Sequence, residues 1–441
     1  MLKTFTMGGI HPPEEKISSD RQITFGEVPA QLLVTIDQHI GKPCEVLVEK
    51  GSVVERGQLI AKSTGFVSSN VHSPVNGKVD KIVRFPQLGG QIKHCALITP
   101  ETPGESYEEV IKKDSLNNFD LKKLSAEEIR KTIADAGIVG MGGAGFPTHV
   151  KLSPPPEKTI DALIINGAEC EPYITSDHRV MLERADEMVK GILILQHLFN
   201  GIPIYVGIER NKPDAIETLE KATREYENIT IVPLIVKYPQ GGEKQLIKAI
   251  LNREVPSKGL PMDVGIVVQN VATVLAIHDA FYYKRPLMER VVTVSGNLVK
   301  NPGNIILPIG TPISYVLDKF EVDTQLVRVM ISGGPMMGRT SYSFESPVTK
   351  TTSALLFFDE SRVIGREENP CIRCGSCINA CPMGLAVAQF TEMIKANNIA
   401  PAIRDSIMDC IECGSCSFVC PADRRLVHWM RLGKNIIRRE N

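Results

Sequence analysis

Hydrophobic and polar residues alternate along residues 45–83, EVLVEKGSVVERGQLIAKSTGFVSSNVHSPVNGKVDKIV. Alternation with a period of two puts every second side chain on one face of a strand, and the glycines between the short runs favour turns. The pattern therefore predicts a β-rich domain over residues 1–100.

A polar and charged segment, residues 101–124, follows this domain and predicts a linker. Ser125 and Glu128 form a capping-box signature, so a helix is expected to begin there. Over residues 125–288, short apolar runs alternate with helical patterns, which predicts an α/β domain. Its expected strands lie in DALIING, PIYVGI, ITIVPLIV and VGIVVQN.

The last third of the chain changes pattern twice. Residues 289–345 return to strand patterns around a Gly/Pro-rich middle, and residues 360–425 form a cysteine-rich region that is expected to be a helical domain. The basic tail, residues 426–441, carries an uneven apolar stripe. We expect it to cover the cysteine-rich domain as a helix; the alternative is a segment that contacts anionic lipid or a partner.

Composition limits the class of protein. The chain has 441 residues, too many for one ordinary domain, and 43% of them are hydrophobic, as in soluble globular proteins. Its formal net charge of −1 gives no reason to expect nucleic acid as a partner. No apolar run approaches the ~18 residues that cross a bilayer, and the N-terminus lacks a signal-peptide core. We therefore expect a cytoplasmic chain that can sit on a membrane through partners.

Eight of the eleven cysteines lie in two near-identical stretches, CIRCGSCINACP and CIECGSCSFVCP. Each has the spacing C-x2-C-x2-C-x3-C-P, in which three thiolates bind one [4Fe–4S] cluster and the fourth binds the cluster of the other stretch. The spacing assigns one cluster to Cys371, Cys374, Cys377 and Cys420, and the other to Cys410, Cys413, Cys416 and Cys381. Zinc is the alternative, but zinc sites favour paired C-x2-C units. The remaining cysteines are expected to be small buried residues: Cys44, Cys95 and Cys170.

A glycine-rich segment, GIVGMGGAGFPTHVKL over residues 137–152, follows the first predicted helix of the α/β domain. A backbone without side chains lets a flat ring or a phosphate approach main-chain amides. The segment does not have the spacing of a Rossmann turn, because a helix and not a strand precedes it. The residues alone leave two readings open, a binding loop and an ordinary turn.

This segment and three later ones resemble the NADH-binding flavoprotein subunit of respiratory complex I. That family's loop is similar to GMGGAGFPTHVKL, and its Asn-Ala-Asp-Glu-x-Glu-Pro signature is similar to NGAECEP (166–172). YPQGGEKQL (238–246) and VVQNVATV (267–274) resemble its next two motifs, in the same order. Ala168 and Gly242 depart from the family, which usually has acidic residues at these positions.

The resemblance implies that the domain binds FMN, with NAD(H) stacked over the flavin. The residues implied to contact FMN are Gly140, Gly142, Gly143, Lys151, Asn166, Glu169, Tyr238, Gly241, Gly242, Asn270 and Thr273. Those implied to contact NAD(H) are Gly143, Ala144, Gly145, Phe146, Glu171 and Glu243. No side chain is expected to act as a catalytic acid or base, because the cofactors carry the redox chemistry.

Two further regions resemble known domains. Residues 45–83 are similar to lipoyl and biotinyl domains, which present a modifiable lysine at a hairpin tip; this chain has Gly65-Phe66-Val67 there, so a non-acylated barrel-sandwich domain is expected. Residues 289–345 are similar to the β-grasp (SLBB-like) domain that follows the flavin domain in the complex I family.

The full order of parts resembles the family of C subunits of the Rnf complex, a membrane-bound, ion-pumping ferredoxin:NAD+ oxidoreductase. The resemblance implies a multidomain α/β and β fold: a lipoyl-like barrel-sandwich, an α/β FMN/NAD(H) domain, a β-grasp domain and a helical ferredoxin-like domain. It also implies two [4Fe–4S] clusters, FMN, and NAD(H) as substrate. The implied partners are the membrane and iron–sulfur subunits of the complex and, indirectly, ferredoxin, at the cytoplasmic face of the membrane. The complex would couple electron transfer to Na+ or H+ translocation.

Two alternatives stay open at this point. A soluble flavin and iron–sulfur NADH oxidoreductase, such as a cobalamin reductase, shares these modules; however, residues 1–136 precede the loop here, whereas that family's chain begins at the loop. A flavin-free electron-wire or scaffold subunit is the second alternative, because Ala168 and Gly242 replace polar residues of the family pattern. A visible spectrum distinguishes the readings, since flavin gives a structured band above the broad absorbance of the clusters.

Overall fold

The computed structural model describes residues 3–362, 367–399 and 401–440. The first residues of the chain pair with a strand and a loop of another domain. Lys3 forms a bridge with Leu234 and Ile10 forms one with Tyr238, so the first residues lie along the α/β domain. Strand β1 (Ile23–Phe25) then joins the sheet of the β-grasp region. Phe5 and Ile10 are buried, so the first residues attach this N-terminal part of the chain to the α/β domain.

Two small sheets form the barrel-sandwich domain. Its strands are β2 (Leu32–Thr35), β3 (Glu45–Val46), β4 (Val53–Val54), β5 (Leu59–Lys62), β6 (Val71–His72), β7 (Gly77–Pro86) and β8 (Ile92–Pro100). One sheet has the order β2-β8-β7-β4 and the other β3-β5-β6. The inward positions of the alternating pattern, among them Val34, Ile60 and Ile98, form the core.

The segment predicted as a linker, residues 101–124, is packed structure. It holds helix α1 (Tyr107–Lys112) and a 3-10 helix (Leu121–Lys123). Tyr107 and Val110 join the barrel-sandwich core, because two apolar side chains one turn apart face the same side of the helix. The backbone amide of Asn117 donates to the carbonyl of Tyr282 at 2.6 Å, which ties the segment to the α/β domain.

The α/β domain contains a parallel sheet with helices packed on it. Its first elements are α2 (Ala126–Asp135), α3 (Thr148–Lys151), β9 (Ala162–Gly167), α4 (Ser176–Glu183), α5 (Ala185–Leu198), β10 (Ile204–Glu209), α6 (Pro213–Ala222) and β11 (Ile229–Leu234). Then come α7 (Glu243–Leu251), a 3-10 helix (Pro261–Val264), β12 (Ile266–Asn270) and α8 (Val271–Tyr282). The strand order is β11-β10-β9-β12. The four strand predictions and the capping box of Ser125 and Glu128 are confirmed.

The third sheet extends beyond the predicted β-grasp limits of residues 289–345. Its own elements are β13 (Glu289–Ser295), β14 (Gly303–Pro308), α9 (Ile313–Lys319), β15 (Val329–Ser332), β16 (Arg339–Ser341) and β17 (Ala354–Phe358). The order β1-β14-β13-β17-β15-β16 places the fully buried strand β17 at the centre. A 3-10 helix, Glu360–Arg362, follows.

Short helices make up the cysteine-rich domain: α10 (Ser376–Asn379), α11 (Val387–Lys395), α12 (Pro401–Met408), α13 (Ser415–Phe418) and α14 (Leu426–Glu440). The basic tail is α14. It buries Leu426, Met430 and Ile437 against this domain, and Lys434 Nζ donates to the carbonyl of Cys410 at 2.8 Å. This arrangement agrees with the cover helix expected from the sequence.

Candidate functional site

Two asparagines stand side by side at the carboxyl edge of the parallel sheet. Asn166 in β9 is the register partner of Asn270, the last residue of β12. Asn270 caps α8 by accepting from the amide of Ala272 at 2.9 Å, and Asn166 Nδ2 donates to the carbonyl of Gly241 at 2.9 Å. Loops at the carboxyl ends of parallel strands are the usual place for a ligand in such sheets.

The glycine-rich loop closes over this edge. The amide of Gly140 donates to the carbonyl of Phe146 at 2.8 Å, and the amide of Met141 donates to Thr273 Oγ1 at 3.1 Å. A Cβ at Gly142 would lie 2.9 Å from Asn270 Nδ2, whereas a Cβ at Gly143 would meet no atom within 4 Å. The loop therefore presses against Asn270 on one side and presents bare backbone to open space at Gly143.

These features fit a flavin nucleotide. The backbone of residues 142–144 is exposed, so its amides are accessible to a phosphate or a ring edge. The strand-end amides of Asn166 and Asn270 lie at the same edge and can hydrogen-bond a polar ring. The structure thus brings together seven of the residues predicted to contact FMN: Gly140, Gly142, Gly143, Asn166, Gly241, Asn270 and Thr273.

An ion pair connects two more predicted residues. Lys151 Nζ contacts Glu243 Oε1, which joins the short helix α3 to the first residue of α7 directly after Gly242. Both side chains are partly exposed. Lys151 was predicted to contact FMN and Glu243 to contact NAD(H), and the ion pair brings these two predicted residues into contact.

The C-terminal part of the glycine-rich loop, at Gly145, packs against other segments of the chain. Gly145 has φ +75°, and a Cβ there would lie 2.9 Å from Thr351 Cγ2, so glycine is required. Its carbonyl accepts from the amide of Ile40 at 3.2 Å. Ala144 is exposed beside it, and Phe146 keeps 38% of its surface exposed.

Asp177 is a site residue that the sequence analysis missed. Its carboxylate accepts from Asn270 Nδ2 at 2.6 Å. Burial and then the negative charge of Glu169 raise the pKa of Asp177 to about 7, while the buried Arg290 favours the charged form. The residue lies in ITSDHR, directly after the signature at 166–172, and its polar position next to that motif was the available signal.

Glu169 has an internal role. It adopts φ +46°, and its carboxylate accepts from the amides of Asp177 at 2.6 Å and His178 at 3.2 Å. These are first-turn amides of α4, where a negative charge also complements the helix dipole. Glu169 therefore shapes the loop under the site, and its carboxylate oxygens are already hydrogen-bonded.

Glu171 and Tyr238 make their polar contacts at the junction with the cysteine-rich domain. The carboxylate of Glu171 accepts from the amides of Met336 at 3.0 Å and Met337 at 2.8 Å. Burial raises the pKa of Glu171 to about 7. The hydroxyl of the buried Tyr238 donates to the carbonyl of Cys413 at 2.8 Å and lies 3.5 Å from Glu171. Their predicted roles with NAD(H) and FMN find no support in these contacts.

The eight motif cysteines divide into two groups. Cys381 lines one small pocket together with Cys410, Cys413 and Cys416. On the other side, Cys377 lies within electrostatic range of Cys371 and Cys420. Cys381 of the first stretch thus lies with three cysteines of the second, and Cys420 of the second lies near Cys377 of the first. The crossed assignment of the cluster ligands stays a prediction.

We call residues 371–382 the outer block and residues 410–421 the inner block. Burial raises the pKa of the Cys410 thiol to about 11 and that of Cys416 to about 12, with a further contribution from the neighbouring thiols. Such thiols become thiolates when cationic iron binds and compensates their charge. Among the described residues, no group of three or more His, Cys, Asp or Glu side chains is arranged to hold a single metal ion. A [4Fe–4S] cluster does not need such a group, because each of its four thiolates binds a different iron atom.

The N-terminal phrase FTMGGIHPPEEK joins the two halves of the site, which the sequence analysis did not foresee. The amide of Gly9 donates to the carbonyl of Ala380 at 3.0 Å, and a Cβ at Gly8 would collide with the carbonyl of Cys381. Lys16 Nζ donates to the carbonyls of Glu169, Glu171 and Ile174. The start of the chain therefore braces both the loop after β9 and the outer block.

Family models match successive parts of the chain. Residues 133–279 match the Nuo51 FMN-binding domain, residues 4–102 the RnfC barrel sandwich hybrid domain, residues 291–340 the SLBB domain and residues 370–424 a 4Fe-4S dicluster domain. An FMN-binding domain joined to a dicluster domain defines the class of flavin and iron–sulfur electron-transfer proteins. This confirms the predicted fold class and cofactors.

Curated relatives identify the family. The C subunit of the proton-translocating ferredoxin:NAD(+) oxidoreductase complex of Clostridium ljungdahlii is 44% identical, over 99% of this chain and 94% of that protein. The C subunit of the Na(+)-translocating complex of Acetobacterium woodii is 41% identical, over 98% and 96%. The C subunit of the ion-translocating oxidoreductase complex of Rhodobacter capsulatus is 38% identical, over 92% and 78%. The chain belongs to this family of Rnf complex C subunits.

A solved structure shares the fold at lower similarity. The air-oxidised NAD+-reducing [NiFe]-hydrogenase aligns with a TM-score of 0.52 at 19% identity, over 71% of this chain and 63% of that one. Across residues 3–362, 367–399 and 401–440, no helix combines the length and the apolar character needed to cross a membrane.

Proposed function

We propose that this chain is the NAD(H)-reactive peripheral subunit of an Rnf complex, which transfers electrons between NAD(H) and iron–sulfur clusters by way of FMN. The observation that carries the proposal is the junction at Tyr238. This residue follows β11 in the flavin-binding domain, and its hydroxyl binds the carbonyl of Cys413, a predicted cluster ligand. The flavin-binding and cluster-binding parts of the chain are therefore in direct contact.

FMN held here would supply hydride exchange with NAD(H) and single-electron exchange with the clusters. The chain's own residues bind and orient. Amides of the loop at 142–144, with Asn166 and Asn270, hold the flavin, while Asp177 orients Asn270. The ion pair of Lys151 and Glu243 presents a cation for a phosphate and a carboxylate for a ribose hydroxyl.

The nucleotide site in this proposal is smaller than the set predicted from the sequence. Gly143, Ala144, Phe146 and Glu243 would contact the nucleotide, and the buried Gly145 would support the loop from behind. Glu171 and Tyr238 serve the junction, because their polar atoms contact Met336, Met337 and Cys413. Thiolates of the inner and outer blocks hold one [4Fe–4S] cluster each, with Cys381 and Cys420 exchanged between them.

The proposal also covers the place of the chain in the cell. The named relatives are subunits of ion-translocating complexes. By family membership, this chain binds other subunits of such a complex at the cytoplasmic face of the membrane, and ion translocation belongs to the complex as a whole. Reduced ferredoxin delivers electrons through those other subunits.

Gly143→Val tests the flavin site. The new side chain would project where Gly143 now meets no atom within 4 Å, so the loop keeps its fold while flavin is displaced. We expect loss of most FMN with iron and sulfide contents unchanged, measured by the visible spectrum and by chemical analysis of anaerobically purified chain. Gly143→Ala, with one methyl group, should retain more flavin than Gly143→Val. Full flavin content in folded Gly143→Val would contradict this site, and absence of flavin from the wild type would favour the flavin-free alternative.

A further inference from the structure

The tip of the hairpin between β5 and β6 lies against the glycine-rich region of the flavin-binding domain. The carbonyl of Phe66 is 2.9 Å from His149 Nε2, and the two rings meet edge to face with centroids 5.9 Å apart. His149 lies in α3, three residues after Phe146 and two before Lys151. The tip where acyl-carrier domains have their lysine therefore lies beside helix α3, which directly follows the glycine-rich loop.

Phe66 is exposed although its surroundings are rigid. The residue keeps 62% of its surface in solvent. The next residue is held firmly: the carbonyl of Val67 accepts from the amide of Lys42 at 2.9 Å, and Ser68 Oγ donates to the carbonyl of Lys42 at 3.0 Å. A well-anchored backbone thus holds an aromatic ring in the open.

The same segment that anchors the tip also holds the glycine-rich loop. Residues 38–42 support Gly145 through the amide of Ile40, and a Cβ at Gly145 would lie 3.2 Å from the carbonyl of Gln38. Gly41 has φ +122° and approaches Val67 so closely that a Cβ would collide with its carbonyl oxygen. The Phe66 ring and the open loop are therefore fixed relative to each other, which is the condition for a preorganised binding surface.

We propose that Phe66 forms the outer wall of the NAD(H) site and stacks on the adenine base. This inference rests on the proposed function. Hydride transfer requires the nicotinamide to lie against the flavin, so the adenine, joined through two riboses and a pyrophosphate, extends away from it. An exposed aromatic face at the rim suits a purine, because base–aromatic stacking needs only two flat surfaces.

The test compares three variants of the full flavin-loaded chain. Phe66→Ala removes the ring, Phe66→Trp keeps a stacking face, and Tyr342→Ala removes a 91% exposed ring far along the chain in the β-grasp region. Flavin content, iron content and the thermal unfolding midpoint are expected to equal those of the wild type in all three. Phe66 sits at an exposed tip, so its loss should leave the fold intact.

Calorimetric titration with ADP-ribose, which carries the adenine end alone, measures the predicted contact. Phe66→Ala should bind ADP-ribose about tenfold more weakly, since stacking of one base on one ring is of this size. Phe66→Trp should bind within a few fold of the wild type, and Tyr342→Ala should be unchanged. Flavin reduction by reduced nicotinamide mononucleotide, which lacks adenine, should be the same in all variants.

Equal ADP-ribose affinity in wild type and Phe66→Ala overturns the proposal, as does a wild type that is reduced by NADH but does not bind ADP-ribose. An equal loss of reaction with the mononucleotide also overturns it, because the ring would then act at the flavin end. If NADH does not reduce the wild-type flavin at all, the proposed function itself fails. That result is distinct from the others.

Discussion

The two cysteine blocks have nearly the same sequence and the same backbone, but different surroundings. Gly375 and Gly414 both have φ +78°, and Arg373 and Glu412 both have φ +59°. The amide of the residue two positions after the first cysteine donates to its sulfur at 3.4 Å in each block. Within the block itself, the outer and inner loops are therefore equivalent.

The outer and inner blocks differ in how deeply their cysteines are buried. Cys371 and Cys374 of the outer block are exposed, whereas Cys413 of the inner block is buried against Ile10 and Tyr238. The loop at Met336 completes this enclosure, since a Cβ at Gly414 would lie 2.9 Å from its carbonyl. A repeated motif thus specifies how thiolates are presented, while neighbouring domains decide which cluster faces solvent. Exposure is one of the factors that set the reduction potential of a cluster.

The largest effect is expected from removing Cys420, the cysteine of the inner block that is predicted to bind the cluster of the outer block. Anaerobically prepared wild type should contain about eight irons and eight acid-labile sulfides per chain. Cys420→Ala should lose roughly half of the iron. We call the cluster predicted at Cys410, Cys413, Cys416 and Cys381 the inner cluster and the other the outer cluster; electron paramagnetic resonance should show that the remaining signal is that of the inner cluster. Cys381→Ala serves as the matched control, with loss of the inner signal and retention of the outer one. The crossed assignment would be wrong if Cys420→Ala altered the same signal as Cys410→Ala.

The next effect concerns Glu171, which binds the loop at Met336 that packs against the inner block. Burial raises the pKa of Glu171 to about 7 from its ordinary value of 4.5. Between these values the folded chain binds more protons than the unfolded chain, so this contribution to stability is complete below about pH 4.5 and is lost as the pH rises to about 7. Its upper limit is about 3 kcal/mol.

Glu171→Gln should therefore flatten the fall of the thermal unfolding midpoint between pH 4.5 and pH 8. Glu157→Gln, which changes an exposed carboxylate of the same domain, should keep the wild-type pH profile. Affinity for NADH is expected to change little in Glu171→Gln, because the carboxylate contacts Met336 and Met337. If Glu171→Gln kept the wild-type pH profile of the unfolding midpoint, or lost NADH affinity tenfold, the role of Glu171 at the junction would be contradicted and the NAD(H) contact would be favoured.

The smallest effect is expected for Tyr238→Phe. The variant loses the hydroxyl that donates to the buried carbonyl of Cys413, a loss of roughly 1–2 kcal/mol. The paramagnetic signal of the inner cluster should shift while that of the outer cluster stays the same. Tyr342→Phe, at an exposed tyrosine, is the control and should change neither signal. Equal shifts in both signals would mean that Tyr238 does not distinguish the blocks.

Much of the flavin-binding edge could be predicted because its motifs are compact. Asn166 and Asn270 end neighbouring strands, and the glycine-rich loop contacts Asn270 and Thr273 across the same edge. Motif order along the chain was enough to assemble this part. Asp177 and Lys16 were missed because each acts through a partner that no short motif contains. For Glu171, resemblance placed a residue in a family role that its contacts in this structure do not support.

The sequence by itself determined the features that depend on neighbours along the chain. The capping box of α2, the positions of the strands, the turns at Gly375 and Gly414 and the cysteine spacing can all be recognised from residues a few positions apart. Only the tertiary structure decided that Tyr238 meets Cys413, that Gly8 leaves room for the carbonyl of Cys381, and that Phe66 lies beside His149. These contacts join residues far apart in sequence. They depend on how whole domains pack, and burial and shape at the interfaces set that packing.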